Sequence, residues 1–258
     1  MVENIKYFLL DMDGTLYIGD SLIGDMKTTL SEIRRAGKKI IYLTNNSSKS
    51  VDRYVEKLTR LGLFDRRDEV YSSGVATIEY LKEFYPGKSV YLLGTNALKA
   101  EFSKNGIALI EEKPDICVLS YDTELTYEKL CKFTTYIQKV SHYIATHPDV
   151  TCPAPDKFVP DVGSFIEMIK AATGLLPSLI IGKPYDTMGK NLMRKYNAER
   201  DRFLMAGDRL YTDIKFGNNC GFCSCLVLSG ESSEDDINEN SAKPDFILKD
   251  FNEIVKYL

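Results

Sequence analysis

The chain begins with an apolar run, Ile5 to Leu10, that stops at Asp11-Met12-Asp13-Gly14-Thr15-Leu16. Apolar residues without polar alternation suit a parallel strand buried on both faces, and such a strand needs helices on either side of its sheet. The following segments keep to that plan. A helix is predicted from Asp25 to Ala36, closed by Gly37, and a second buried strand from Lys39 to Leu43. Val51, Tyr54, Val55, Leu58 and Leu61 then recur at helical spacing, with Gly62 as the stop. Strand and helix in alternation with short links predict an α/β fold with a doubly wound parallel sheet.

The alternation continues with strands at Ser89–Leu93, Ile116–Ser120 and Tyr143–Thr146, and helices over Asn96–Lys104 and around Leu130, Phe133 and Ile137. A loop rich in proline and aspartate is expected from His147 to Val162, then a helix from Ser164 to Thr173. Strands at Ser178–Ile181, Phe203–Ala206 and Ser224–Leu228 complete the pattern, and Glu231–Ala242 is polar enough to be an exposed excursion. A chain of 258 residues has room for one large or two modest domains. Its net charge of −4 gives no overall attraction to nucleic acid or anionic membranes. The first apolar run is too short to span a bilayer and lacks a secretory-signal layout, so the expected location is cytoplasmic. There the six cysteines are expected to be reduced thiols. Cys220, Cys223 and Cys225 lie close together but lack the fourth ligand and the spacing of a structural zinc site.

Chemistry concentrates at strand ends. In open α/β sheets ligands bind beyond the carboxyl ends of the strands, which is where Asp11 and Asp13 fall. An acidic turn is the plainer reading of that hexapeptide. Thr44-Asn45-Asn46 ends the second strand and suits an anion cradle or, more simply, helix capping. Lys183, in Gly182-Lys183-Pro184, is a point charge suited to phosphate, although loop lysines are commonly just solvated. Asp208 and Asp213 straddle the start of a helix, an arrangement for one direct and one indirect metal contact. Asp213 also fits as a first-turn acid favoured by the helix dipole. No single plain reading accounts for all four strand ends in order.

The ordered set resembles the haloacid dehalogenase superfamily over nearly the whole chain. Asp11-Met12-Asp13-Gly14-Thr15 matches its first motif, Thr44 the second, Lys183 the third, and Gly207-Asp208 with Asp213 the fourth. Leu43-Thr44-Asn45-Asn46-Ser47, Ala145-Thr146-His147-Pro148-Asp149, Gly182-Lys183-Pro184 and Gly207-Asp208-Arg209 are similar to the NagD-like, p-nitrophenyl-phosphatase branch. The resemblance implies a catalytic core over residues 1–78 and 179–258 and an inserted α/β cap over 79–178 whose closure excludes water. It implies a Mg²⁺-dependent phosphatase acting on a small phosphate monoester, such as a nucleotide, sugar phosphate or aryl phosphate. Asp11 would be the nucleophile and Asp13 the general acid and base. Asp11, the carbonyl of Asp13 and Asp208 would hold Mg²⁺; Thr44, the Asn45 amide and Lys183 would bind phosphate; Asp213 would support the metal's waters or Lys183. Caps of this sort also often supply a homodimer surface.

Some positions depart from the branch. His147 stands where asparagine is frequent, Lys157 where glycine is, and Tyr185-Asp186 replaces the commoner Ser-Pro. Asn46, His147, Asp149, Lys157 and Asp161 are the candidates for reading the substrate. Two other activities share the motifs: a phosphomutase on the same scaffold and a non-catalytic phosphate-binding module. Asp13 argues against a dehalogenase, whose halide leaving group needs no acid.

Overall fold

The structure is a computed structural model that describes residues 2–154, 157–239 and 241–258, without the side chains of residues 153, 154, 157, 158 and 239. The first strand, β1 (Tyr7–Leu10), leads into a small hairpin of β2 (Tyr17–Ile18) and β3 (Ser21–Leu22). Helix α1 (Met26–Arg35), strand β4 (Lys39–Thr44), helix α2 (Val51–Arg60) and strand β5 (Glu69–Ser72) follow. The middle of the chain holds α3 (Ser73–Phe84), β6 (Ser89–Leu93), α4 (Asn96–Lys104), β7 (Ala108–Leu109), β8 (Ile116–Leu119) and α5 (Tyr127–Ile137). After β9 (His142–Ala145) come β10 (Thr151–Ala154), β11 (Lys157–Pro160), α6 (Val162–Thr173) and β12 (Leu179–Ile180). The last third comprises α7 (Thr187–Tyr196), β13 (Phe203–Gly207), a π-helical turn at Leu210–Ile214, α8 (Lys215–Cys220), β14 (Cys223–Val227), α9 (Glu234–Glu239) and β15 (Phe246–Leu248).

These elements form two compact units. The first contains residues 1–44, 51–71 and 183–258; the second contains 45–50 and 72–182. The first unit is built on a six-stranded sheet in the order β15-β14-β13-β1-β4-β5. In it β1 pairs parallel with both β13 and β4, opposing Leu10 to Ala206 and to Tyr42. Phe8, Leu9 and Leu10 are fully buried, as an apolar strand covered on both faces should be. Leu30, Ile33 and Leu58 from α1 and α2 pack into the same core as Phe8 and Leu10. The second unit has its own parallel sheet, β12-β9-β8-β6-β7, and its own core around Leu93, Leu119, Phe133 and Ile166.

The structure corrects several sequence expectations. The main unit boundaries lie at 71/72 and 182/183 where 78/79 and 178/179 are expected, and residues 45–50, expected in the core, go with the second unit. The strand ahead of Lys183 is the reason at the second junction: β12 pairs with β9, so it belongs to the second sheet and not to the catalytic one. At the first junction all of α3 goes with the second unit, where the Ser73 hydroxyl donates to the Asn45 carbonyl. The segment expected as a loop from His147 to Val162 contains the antiparallel pair β10 and β11, with Thr151 opposite Pro160 and Cys152 opposite Val159. Pro153 and Pro160 sit in a ribbon of two strands, where no third strand needs their missing N–H. Among the described residues no helix is long and apolar enough to cross a membrane.

Candidate active site

Parallel pairing brings three strand ends of the first unit to one edge. The Asp11 amide donates to the Ala206 carbonyl at 2.9 Å and extends the ladder one residue past β1. Asp208 follows the end of β13, and Thr44 closes β4 two residues beyond Tyr42, the partner of Leu10. The chain then turns tightly: the Leu16 amide donates to the Met12 carbonyl at 2.9 Å, and Gly14 takes a φ of 83° that residues with a Cβ rarely adopt. Glycine is required there for a second reason. A Cβ at Gly14 would overlap the Asp208 carboxylate, as would one at Gly230.

Lys183 joins this edge through charge. Its ammonium donates to Asp11 Oδ1 at 2.7 Å and to Asp213 Oδ1 at 2.6 Å, with the residue only 2 % exposed. Burial alone would lower the lysine pKa, but the two carboxylates outweigh it and hold the amine above its ordinary range. Asp213 is fixed on its other oxygen by the Arg209 amide at 3.1 Å. Asp208 is held through one oxygen: Oδ2 accepts from the Glu231 amide at 2.8 Å, while buried Oδ1 has no hydrogen-bond partner among the described residues. Burial, with Asp11 and Asp213 as neighbours, pushes the Asp208 carboxyl well above the usual carboxylate range. Burial likewise raises Asp213, against the pull of Lys183.

One carboxylate oxygen from each of Asp11, Asp208 and Asp213 lies within 4.8 Å of the other two. Three carboxylates against one ammonium leave an excess of two negative charges when all are ionised. That excess, the all-oxygen donor set and the unpartnered Asp208 Oδ1 fit a hard divalent cation. Asp13 projects outward, its side chain 59 % exposed, with the Lys57 ammonium 3.6 Å away. Lys57 in turn lies 3.9 Å from the centre of the Tyr17 ring.

Sequence reasoning had not singled out Lys57, the Ser229 hydroxyl that donates to the Gly14 carbonyl at 2.8 Å, or the Glu231 amide. Gly230, a glycine just beyond a strand end, was the signal for the last of these. The stretch from Glu231 was expected to be an exposed excursion; its first residues instead clamp Asp208, with the Ser232 amide donating to the Asp208 carbonyl at 3.1 Å.

The other candidates lie in the second unit and are engaged there. Asn45 donates through Nδ2 to both oxygens of Asp149, at 3.0 and 3.2 Å. Asn46 Oδ1 accepts from the Ser48 amide at 2.9 Å, a local turn. Asp161 caps α6, accepting from the Val162 amide at 2.7 Å. His147 is fully buried between the Asp149 and Asp161 carboxylates. The Lys157 side chain lies outside the described residues.

A parallel α/β sheet with a lysine-braced aspartate cluster beyond its strand ends defines a phosphate-handling enzyme of the haloacid dehalogenase type. Residues 8–108 match the haloacid dehalogenase-like hydrolase family, and residues 180–254 a second, HAD-hydrolase-like family. An acid sugar phosphatase of Staphylococcus saprophyticus is 31% identical over 258 residues, covering 100% of this chain and 99% of that protein. Among solved structures, a 4-nitrophenylphosphatase from Thermotoga maritima aligns with a TM-score of 0.94 and 41% identity, over 99% of this chain and 98% of that one. A glycerol phosphate phosphatase from Mycobacterium tuberculosis, in complex with magnesium, aligns with a TM-score of 0.90 and 26% identity, over 99% of this chain and 78% of that one. The chain belongs to the haloacid dehalogenase-like hydrolases, in the NagD and p-nitrophenyl-phosphatase branch, and is a phosphoric monoester hydrolase.

Proposed function

We propose that this phosphatase hydrolyses small phosphate monoesters, sugar phosphates foremost, through an aspartyl-phosphate on Asp11 with Mg²⁺ as cofactor. The observation that carries the reading is the buried Lys183 ammonium bound at once to Asp11 and Asp213, beside an Asp208 oxygen with no partner. In the proposed reaction an Asp11 oxygen attacks phosphorus, the ester P–O bond breaks, and its electron pair leaves on the alcohol oxygen. Asp13, exposed to incoming solutes, gives that oxygen a proton. It then takes one from the water that attacks phosphorus, releasing phosphate and restoring Asp11.

Lys183 balances charge on the anionic nucleophile and on the phosphoryl oxygens, and Thr44 and the Asn45 amide complete the phosphate contacts. Asp11, Asp208 and the Asp13 carbonyl would hold the cation, which when bound neutralises phosphoryl charge; Asp213 keeps Lys183 in place. The sugar-phosphate preference rests on the Staphylococcus relative, and Mg²⁺ on the Mycobacterium one.

Turnover of 4-nitrophenyl phosphate and of a panel of sugar phosphates is the test. Activity should depend on Mg²⁺, vanish with EDTA, and fall by at least about a thousandfold in Asp11→Asn. Equal turnover in the variant would refute the covalent route. Isomerised ester in place of free phosphate would make the enzyme a mutase.

A further inference from the structure

We propose that the second unit carries a site for a first-row transition-metal dication of the Zn²⁺ kind, formed by His147, Asp149 and Asp161. His147 is 0 % exposed, and both of its ring nitrogens lack a hydrogen-bond partner among the described residues. Buried imidazoles ordinarily satisfy at least one nitrogen, so a fully sequestered ring with neither satisfied requires an explanation. The ring sits between two carboxylates. Nδ1 is 3.6 Å from Asp149 Oδ2, and Nε2 is 3.5 Å from Asp161 Oδ1.

Both separations are long for hydrogen bonds. Either one, taken for whichever ring nitrogen binds, is close to the spacing of two neighbouring ligands on an ion: donors about 2.0–2.1 Å from a tetrahedral centre stand roughly 3.4 Å apart. One donor atom from each of the three residues lies within 4.8 Å of the other two. A metal would take a single ring nitrogen. The remaining N–H would then face the carboxylate on its own side, an arrangement that fixes the tautomer of metal-bound histidines.

Charge favours the same occupant. A neutral imidazole between two carboxylates carries two negative charges in a place poor in solvent, and a protonated ring would offset only one of them. A dication offsets both. The donors are also held before any ion arrives. Asn45 grips both oxygens of Asp149, and Asp161 is fixed at the start of α6 by the Val162 amide. A Cβ at Gly182 would overlap His147 Cβ, and one at Gly163 would overlap the Pro148 carbonyl, so the backbone around the donors is closely packed.

The imidazole sets the class of ion. An imidazole nitrogen favours zinc-like ions over Mg²⁺, which keeps to oxygen. The site therefore differs in kind from the all-oxygen cluster of the first unit. It also depends on the imidazole itself, which an amide side chain at position 147 would not supply. An ion there would tie the loop after β9 to the first turn of α6.

The test uses the tag-free full-length chain carrying Asp208→Asn, which disables the oxygen cluster, stripped with chelator and titrated with Co²⁺ as the visible probe. Expected is one Co²⁺ per chain, with ligand-field absorption that excess Mg²⁺ does not remove. Adding His147→Asn should weaken that binding by at least about a hundredfold, and so should Asp161→Asn, in chains whose circular dichroism shows them folded. A chain that takes up no Co²⁺, or folded variants that bind it as tightly as their parent, would overturn the proposal.

Discussion

Lys183 shows how one side chain can serve packing and chemistry together. A buried ammonium is costly unless it is paired, and here two carboxylates pair it within 2.7 Å. The gathering of Asp11, Lys183, Asp208 and Asp213 was legible in the sequence because all four follow strand ends, where an open α/β sheet collects its polar side chains. Lys57 and Ser229 were not, since a lysine on a helix and a serine after a strand say nothing of what they face once folded. Glycines carry part of the information that side chains do not. A methyl group at Gly230 would displace the Asp208 carboxylate. Gly230→Ala should therefore raise the Mg²⁺ concentration for half-maximal activity by about tenfold or more, with an unchanged far-ultraviolet spectrum. An unaltered Mg²⁺ requirement would mean that Asp208 is not the cation's ligand.

At the scale of elements, the long apolar strands and the capped helices could be read directly. Asp25 caps α1 and Gly37 follows it in a left-handed conformation, much as the spacing indicates. Not every short strand could be read: β5 and β7, with four and two residues, show no period, and although a strand is predicted at Ser178–Ile181, only pairing reveals that β12 lies beside β9. The β10–β11 ribbon was hidden by its prolines. Caps remain testable singly. The Thr95 hydroxyl accepts from the Leu98 amide at the start of α4 and donates to the Ser48 carbonyl at 2.9 Å. Thr95→Ala should cost about 1–2 kcal/mol in urea unfolding. A loss below a few tenths of a kcal/mol would show both bonds to be energetically idle.

For the molecule as a whole, two units with separate cores account for a chain of this length, and the first unit is assembled from both ends of the chain. None of the cysteines is paired in a disulfide, and Cys131 is the exposed one among them. Burial pushes the Cys117 thiol up to about 12 and Cys223 up to about 11, and raises Cys220 and Cys225 further. With so little thiolate at pH 8, those four should react slowly with a disulfide reagent in the native protein, while Cys131 reacts fast and all six react after unfolding. Fast native reaction of four or more thiols would contradict the buried placement.

The central claim is that Asp11 becomes covalently phosphorylated. Acid quenching within a single turnover, followed by mass spectrometry of the peptide spanning Asp11, tests it most directly. A phosphoryl group on Asp11 that forms and decays at rates compatible with turnover, and is missing in Asp11→Asn, is the predicted result. Full turnover with Asp11 never carrying phosphate, or phosphate found on another residue, would contradict the account.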